Sequence, residues 1–139
     1  MPLNVSRVRI QAPIDQVWNA LVNPELVKQW QYGSELTTDW QVGSAIRFRT
    51  QWQDQVFEQW GQVLEFTPFS RIRYSLFAPR PGLEDKLENY FVMSYFLSSE
   101  AAYTSLEIQQ EDDRPGAQQE EPQGEENPIL KGLKELLEG

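Results

Sequence analysis

Three kinds of side chain in this sequence bear on chemistry by type and spacing: carboxylates, arginines spaced by two, and aromatic rings. Acid–base catalysis and hard-metal binding both draw on carboxylates. Glu58 and Glu65 share one long strand pattern but have opposite parity, so they are expected on opposite faces of a sheet and not as an acid–base pair. Glu111-Asp112-Asp113 offers oxygen ligands for Ca²⁺, yet it lacks the alternating acids and central glycine of a calcium loop. The chain contains no His and no Cys. That removes the usual general base, the commonest metal ligand, the thiol nucleophile and thiolate metal sites. Neither G-x-S-x-G, a P-loop, G-x-G-x-x-G nor H-E-x-x-H occurs. The expectation is a chain with no catalytic residues, no metal and no cofactor of its own.

The arginine pairs Arg7/Arg9, Arg47/Arg49 and Arg71/Arg73 each fall on one strand face and read as the solvated outside of a sheet. Net charge is −9, placed unevenly: residues 111–126 hold seven acids and one Arg, whereas residues 1–110 hold twelve acids and nine bases. With no concentrated basic surface, nucleic acid is not an expected partner.

The aromatic residues are the remaining signal. Trp30, Tyr32, Phe48, Trp52, Trp60, Tyr74, Phe91 and Tyr95 are all candidates to point into one interior space, with Leu133 from the last helix facing them. Core packing explains each ring alone. As a set, rings with a few polar tips over a strongly bent sheet suit a pocket for a small apolar or lipid-like ligand.

Positioning these residues requires strands and helices in a definite order. Leu3 to Gln11 reads as a strand, with Val8 and Ile10 alternating against Arg7, Arg9 and Gln11. Pro13 suits the first position of a helix whose apolar face is Ile14, Val17, Trp18, Leu21 and Val22. Asn23-Pro24-Glu25 stops it and starts a second helix, with Asn as N-cap, Pro at the first position and Glu in the first turn.

Strands are then expected over 34–39, 45–52, 56–66, 71–77, 88–98 and 103–110. Gly61 interrupts the third of these as a bulge or close-approach site. Ala78-Pro79-Arg80-Pro81-Gly82 begins an irregular loop that runs to about Glu88, either simply exposed or at a pocket mouth. Residues 111–126 (EDDRPGAQQEEPQGEE) have no apolar periodicity and read as a flexible acidic loop, either a tether or a lure for a basic partner. Asn127-Pro128 repeats the capping device before a final helix striped with Ile129, Leu130, Leu133, Leu136 and Leu137. Burying those five side chains is worth about 8–15 kcal/mol gross, most of it offset by ordering entropy.

The fold class that follows is α+β: a curved antiparallel sheet wrapped around its C-terminal helix, with two short helices after the first strand. One domain is expected, made of a body over 1–110, the acidic loop 111–126 and the helix 127–139. A flexibly tethered last helix also allows exchange between copies and hence a homodimer. No apolar run is long enough for a membrane span, and no secretion signal is visible, so a cytoplasmic protein is expected.

The motif I-x-A-P-x-x-x-V-W-x-A-L-x-x-P-x-x-x-x-x-W over Ile10–Trp30 resembles the START-like (SRPBCC) superfamily, in particular the activator-of-Hsp90-ATPase group. Trp40-Gln41-Val42-Gly43-Ser44, Gly61-Gln62-Val63-Leu64-Glu65, Pro68, Arg71-Ile72 and Thr104-Ser105-Leu106-Glu107-Ile108 continue the likeness in order. The sequence departs from the pattern after residue 110, at the acidic stretch. The resemblance implies the helix-grip fold with an internal cavity. Three functions are then in view: a non-catalytic domain for a hydrophobic ligand, a chaperone-associated module similar to the Hsp90 activator, and a polyketide cyclase- or hydrolase-like enzyme. The missing His and acid pair disfavour the last.

Overall fold

The computed structural model describes residues 3–31, 33–52, 54–79, 81–112, 114, 124 and 127–138. Strand β1 (Leu3–Ile10) leads into α1 (Ile14–Val22) and α2 (Pro24–Trp30). Pro13 stands one position earlier than its sequence suggests, at the N-cap of α1 in extended conformation, where its carbonyl accepts from the backbone N–H of Gln16 and Val17. Asn23 caps α2 as expected: its Oδ1 accepts from the Glu25 backbone N–H at 3.0 Å. Trp30 and Trp40 bring their indole N–H groups back onto this helical turn. They donate to the carbonyls of Ala20 at 2.8 Å and Val22 at 3.0 Å, so neither large ring enters the interior with an unsatisfied donor.

The remaining strands are β2 (Glu35–Thr37), β3 (Ala45–Trp52), β4 (Gln55–Thr67), β5 (Arg71–Leu76), β6 (Phe91–Glu100) and β7 (Tyr103–Asp112). They form one antiparallel sheet in the order β1-β7-β6-β5-β4-β3-β2. β4 changes its main ladder partner along its length, with an isolated Trp60↔Phe77 bridge continuing on the β5 side. Residues 55–62 pair with β3, and the ladder to β5 runs from Val63↔Tyr74 to Thr67↔Arg71. Gly61 sits at this handover, where the β5 backbone comes so close that a Cβ would lie 1.8 Å from the Ser75 carbonyl oxygen. The Gln62 N–H bonds to the Ser75 hydroxyl at 3.1 Å in place of a ladder partner. The bulge lies beyond the glycine, between Val63 and Glu65. It makes Leu64 the extra residue and turns both Val63 and Phe66 inward, where Phe66 meets Trp18 and Trp40. Glu58 and Glu65 therefore share the outer face, contrary to their sequence parity, and pair separately with Arg49 and Arg71. They remain uncoupled for a different reason from the one parity suggested.

The loop before β6 also differs from its sequence reading. A 3₁₀ turn over Leu87–Asn89 precedes β6, which begins at Phe91 and not at Glu88. Buried Asn89 closes the turn by donating its side-chain amide to the Glu84 carbonyl at 2.7 Å. β7 continues through Asp112, two residues into the stretch expected as loop. The rest of 111–126 lies outside the described residues except for Arg114 and Gly124.

Helix α3 (Pro128–Glu138) repeats the Asn-Pro cap, with Asn127 Oδ1 accepting from Ile129 at 2.9 Å. It packs against β1, α1 and α2. Leu130 and Leu133 are buried, and Leu136 and Leu137 are half-buried beside them. Its C-terminal turn is fastened to the end of β1: Lys134 Nζ donates to the Arg9 carbonyl at 2.8 Å, and Glu138 accepts from the Gln11 backbone N–H at 2.7 Å. The helix thus fills one side of the curved sheet and leaves the other side to the cavity. Among the described residues, no helix is long and apolar enough to cross a membrane.

Candidate functional site

The cavity opens between the inner faces of β3–β7, the start of β1, the end of α2 and the first turn of α3, with a volume of about 570 Å³. That lies within the roughly 300–1,000 Å³ typical of small-molecule sites. Trp30, Phe48, Tyr74, Phe91 and Tyr95 line it, all five from the aromatic set singled out in the sequence. They converge because each occupies an inward position of its strand, or the inner face of α2, and strict alternation carries neighbouring strands in phase.

Among the described residues, Trp60 and Leu133 of the predicted set stand elsewhere. Trp60 is on the outer face, because it pairs with Arg47 across the β3–β4 ladder; it packs on Phe77 and donates its indole N–H to Asp85 at 3.1 Å. Tyr90 joins this outer cluster by donating its hydroxyl to the same carboxylate at 2.7 Å. Leu133 is fully buried but faces α1, α2 and β1, one helical turn away from the cavity wall. Leu130 and Ile129 line the wall in its place. Tyr32 and the side chain of Trp52 lie outside the described residues.

The lining includes residues that an aromatic count does not find. Phe57 and Gln59 share the inward parity of β4, and Met93 and Ile108 that of β6 and β7. Gln31, Ser34, Thr50 and Gln110 add neutral polar tips. Inward parity relative to Phe48 and Tyr95 is the signal that identifies them; their residue types carry none.

The most ordered polar feature is the pair Tyr74–Tyr95. Their hydroxyls are 2.5 Å apart, their rings meet edge to face at 5.6 Å, and Phe48 packs on Tyr74 at 5.7 Å. Both side chains are buried. Burial pushes Tyr74 well above the ordinary tyrosine value, with the neighbouring Tyr95 adding to the rise. Burial also pushes Tyr95 up to about 12, against hydrogen bonds from Tyr74 and Gln31 that pull it down. A raised value keeps both phenols neutral near pH 7, which suits hydrogen bonding to a guest and is opposite to what a tyrosinate base needs.

At the Phe91 end, Arg114 lies over the Phe91 ring at 4.4 Å and grips Asp112 through two side-chain bonds of 2.8 and 2.6 Å. Gln110, a lining residue, donates to the same carboxylate at 3.2 Å. The Arg114 guanidinium, ahead of its backbone N–H, holds the Asp112 carboxyl below its ordinary value against the cost of burial. A depressed folded value means this carboxylate contributes stability above the unfolded value of about 3.9, and that stability is lost as pH falls through the folded value. Asp112→Asn is therefore expected to cost roughly 1.5–3 kcal/mol at neutral pH. It should also make the acid limb of the stability–pH curve shallower, as urea melts from pH 7 to pH 2 would record. An unchanged acid limb would show that the pair does not hold this end of the cavity.

An antiparallel sheet gripping a C-terminal helix beside an open cavity defines a helix-grip protein of the START-like class. Residues 11–138 match the family model "Activator of Hsp90 ATPase homolog 1-like protein", and the chain belongs to that family. The solution structure of ChR145 from Cytophaga hutchinsonii is 32% identical, with 96% of this chain and 92% of that one covered and a TM-score of 0.72. Protein CV1439 from Chromobacterium violaceum is 24% identical, covers 98% of each chain and gives a TM-score of 0.74. The Aha1 dimer from Colwellia psychrerythraea shares the fold at 14% identity, with 99% of this chain and 97% of that one covered and a TM-score of 0.71. No curated protein matches the sequence.

Proposed function

We propose that this chain is a non-catalytic binding domain that takes a small, largely apolar molecule into the aromatic cavity. The observation that carries this reading is the cavity itself, about 570 Å³ left open where the helix stops short of filling the sheet. The cavity opens to solvent beside exposed Phe57 and Ile129, so a guest gains by displacing water from the apolar wall of Trp30, Phe48, Phe91 and Met93. Thermal unfolding with a panel of hydrophobic ligands, alongside native mass spectrometry, tests it. A ligand present at 100 times its Kd stabilises the folded state by about 2.7 kcal/mol, a rise of several degrees for a domain of this size. Met93→Trp, which places a larger ring in the space, is expected to abolish the rise. A panel in which no member shifts the melt or travels with the protein would overturn the proposal.

A second reading follows from the family and from the likeness to the Aha1 dimer: contact with an Hsp90-type chaperone. Its supporting result is a changed chaperone ATPase rate on addition of this protein; an unchanged rate with no co-purification removes it. Fold likeness by itself does not carry activity across.

A further inference from the structure

We infer that the cavity selects neutral ligands bearing a hydrogen-bond acceptor, and that the Tyr74–Tyr95 hydroxyl pair is the element that reads that acceptor. The inference rests on the cavity being a ligand site and adds the class of ligand it takes.

Three observations carry it. First, among the described residues lining the cavity, none is charged; the polar positions are hydroxyls and amides, such as Ser34, Thr50, Gln59 and Gln110. A carboxylate brought into this space leaves water without meeting a cation, a cost that hydroxyls and amides do not offset in full.

Second, the nearest charges do not help an anion. Arg114 is engaged by Asp112 through both of its side-chain bonds, so that pair is locally neutral.

Third, the tyrosine pair has a hydrogen to give. Two hydroxyls joined by one bond hold two hydrogens and use one between themselves. Gln31, beside Tyr95, carries two amide N–H donors and can supply one to the Tyr95 oxygen, which leaves the second hydroxyl hydrogen for a guest. The hydroxyl pair lies on the wall of a cavity lined by rings, aliphatic chains and neutral polar tips. Edge-to-face packing of the rings, with Phe48 behind Tyr74, fixes the hydroxyls in place before a ligand arrives. A carbonyl, ether or phenol oxygen on the guest completes the arrangement.

The size of the effect follows from the empty state. The tyrosines satisfy each other when no ligand is bound, so a guest without an acceptor leaves no buried group newly orphaned. Discrimination is then the modest net value of one hydrogen bond, on the order of 5- to 20-fold in affinity.

The test compares three intrinsically fluorescent probes of nearly equal shape: 2-acetylanthracene, 2-ethylanthracene and anthracene-2-carboxylate. Fluorescence titration of the full chain is expected to rank the ketone first, the ethyl compound roughly 5- to 20-fold weaker, and the carboxylate weakest. Tyr74→Phe or Tyr95→Phe alone leaves one hydroxyl with a hydrogen to give and keeps the ketone preference; the two together are expected to bring the ketone down to the level of the ethyl compound. Equal affinities, a carboxylate that binds best, or a ketone preference that survives both substitutions together would overturn the inference while leaving the cavity as a binding site. Failure of all three probes would overturn the cavity reading with it. The wild-type ranking decides the charge and acceptor preference without reference to whether either variant folds.

Discussion

Gly61→Ala is expected to destabilise the fold by roughly 3 kcal/mol or more, although it adds a single methyl group. The methyl would stand 1.8 Å from the Ser75 carbonyl oxygen and 2.5 Å from its carbonyl carbon. Both are backbone atoms of the neighbouring strand, so no side-chain rotation relieves the clash, and Ser75→Ala would not rescue it. Either β5 moves away or β4 untwists, and each motion breaks the handover that lets β4 serve two neighbours. Tyr74 directly precedes Ser75, so the displacement reaches the cavity as well. The contrast is Gly132→Ala in α3, where the new Cβ meets only the Trp30 carbonyl oxygen at 3.8 Å. There the relief of glycine's excess freedom should stabilise the helix by about 0.5–1 kcal/mol. Urea denaturation of both variants reads the difference directly. A Gly61→Ala midpoint equal to that of Gly132→Ala would mean the two strands do not approach as described.

Local chemistry made much of this fold legible in the sequence. Asn23-Pro24 and Asn127-Pro128 each combine a side-chain acceptor with a residue that has no N–H to satisfy, and both start helices at those places. The alternation of Ile46, Phe48 and Thr50 with Arg47, Arg49 and Gln51 places the first set toward the cavity side, because nothing interrupts β3. β4 was harder to read. Its bulge falls at Leu64, a residue with no preference for such a position, and from there every parity reverses. Gly61 announced an irregularity, yet its cause is contact across the sheet and leaves no trace in the residues around it.

The site was legible to the extent that its residues are aromatic and in phase. Trp60 shows the limit: a large ring suggested the interior, but the ladder places it opposite Arg47, and its burial comes from Phe77 and the Asp85 loop. Gln59, its smaller polar neighbour, takes the inward position. The Tyr74–Tyr95 bond depends on strand register, Ile72↔Tyr95 and Tyr74↔Met93, which sets the two rings diagonally across one face. No spacing within either strand encodes that register; the turns and the neighbouring strands set it.

Leu133→Ala and Leu130→Ala are each expected to destabilise the protein by roughly 2–5 kcal/mol, since both leucines are buried on one helix, but they differ in their effect on binding. The difference follows from what each side chain touches. Leu133 is fully enclosed where α3 meets α1, α2 and β1, and its removal leaves a hole bounded by packed elements on every side. Leu130 lies one turn earlier, is almost as fully buried, and also forms part of the cavity wall, so its removal both costs packing and enlarges a space that exists. The two substitutions should therefore separate stability from binding. Leu133→Ala lowers the urea midpoint and leaves the affinity of the folded protein for a hydrophobic ligand within about twofold, because its side chain forms no part of the wall. Leu130→Ala lowers the midpoint as well but also shifts affinity and ligand size preference, since it reshapes the wall beside Trp30. If instead both variants lost binding in proportion to stability, α3 would act on the site only by holding the sheet in its curve. The first turn of the helix would then have no direct part in recognition.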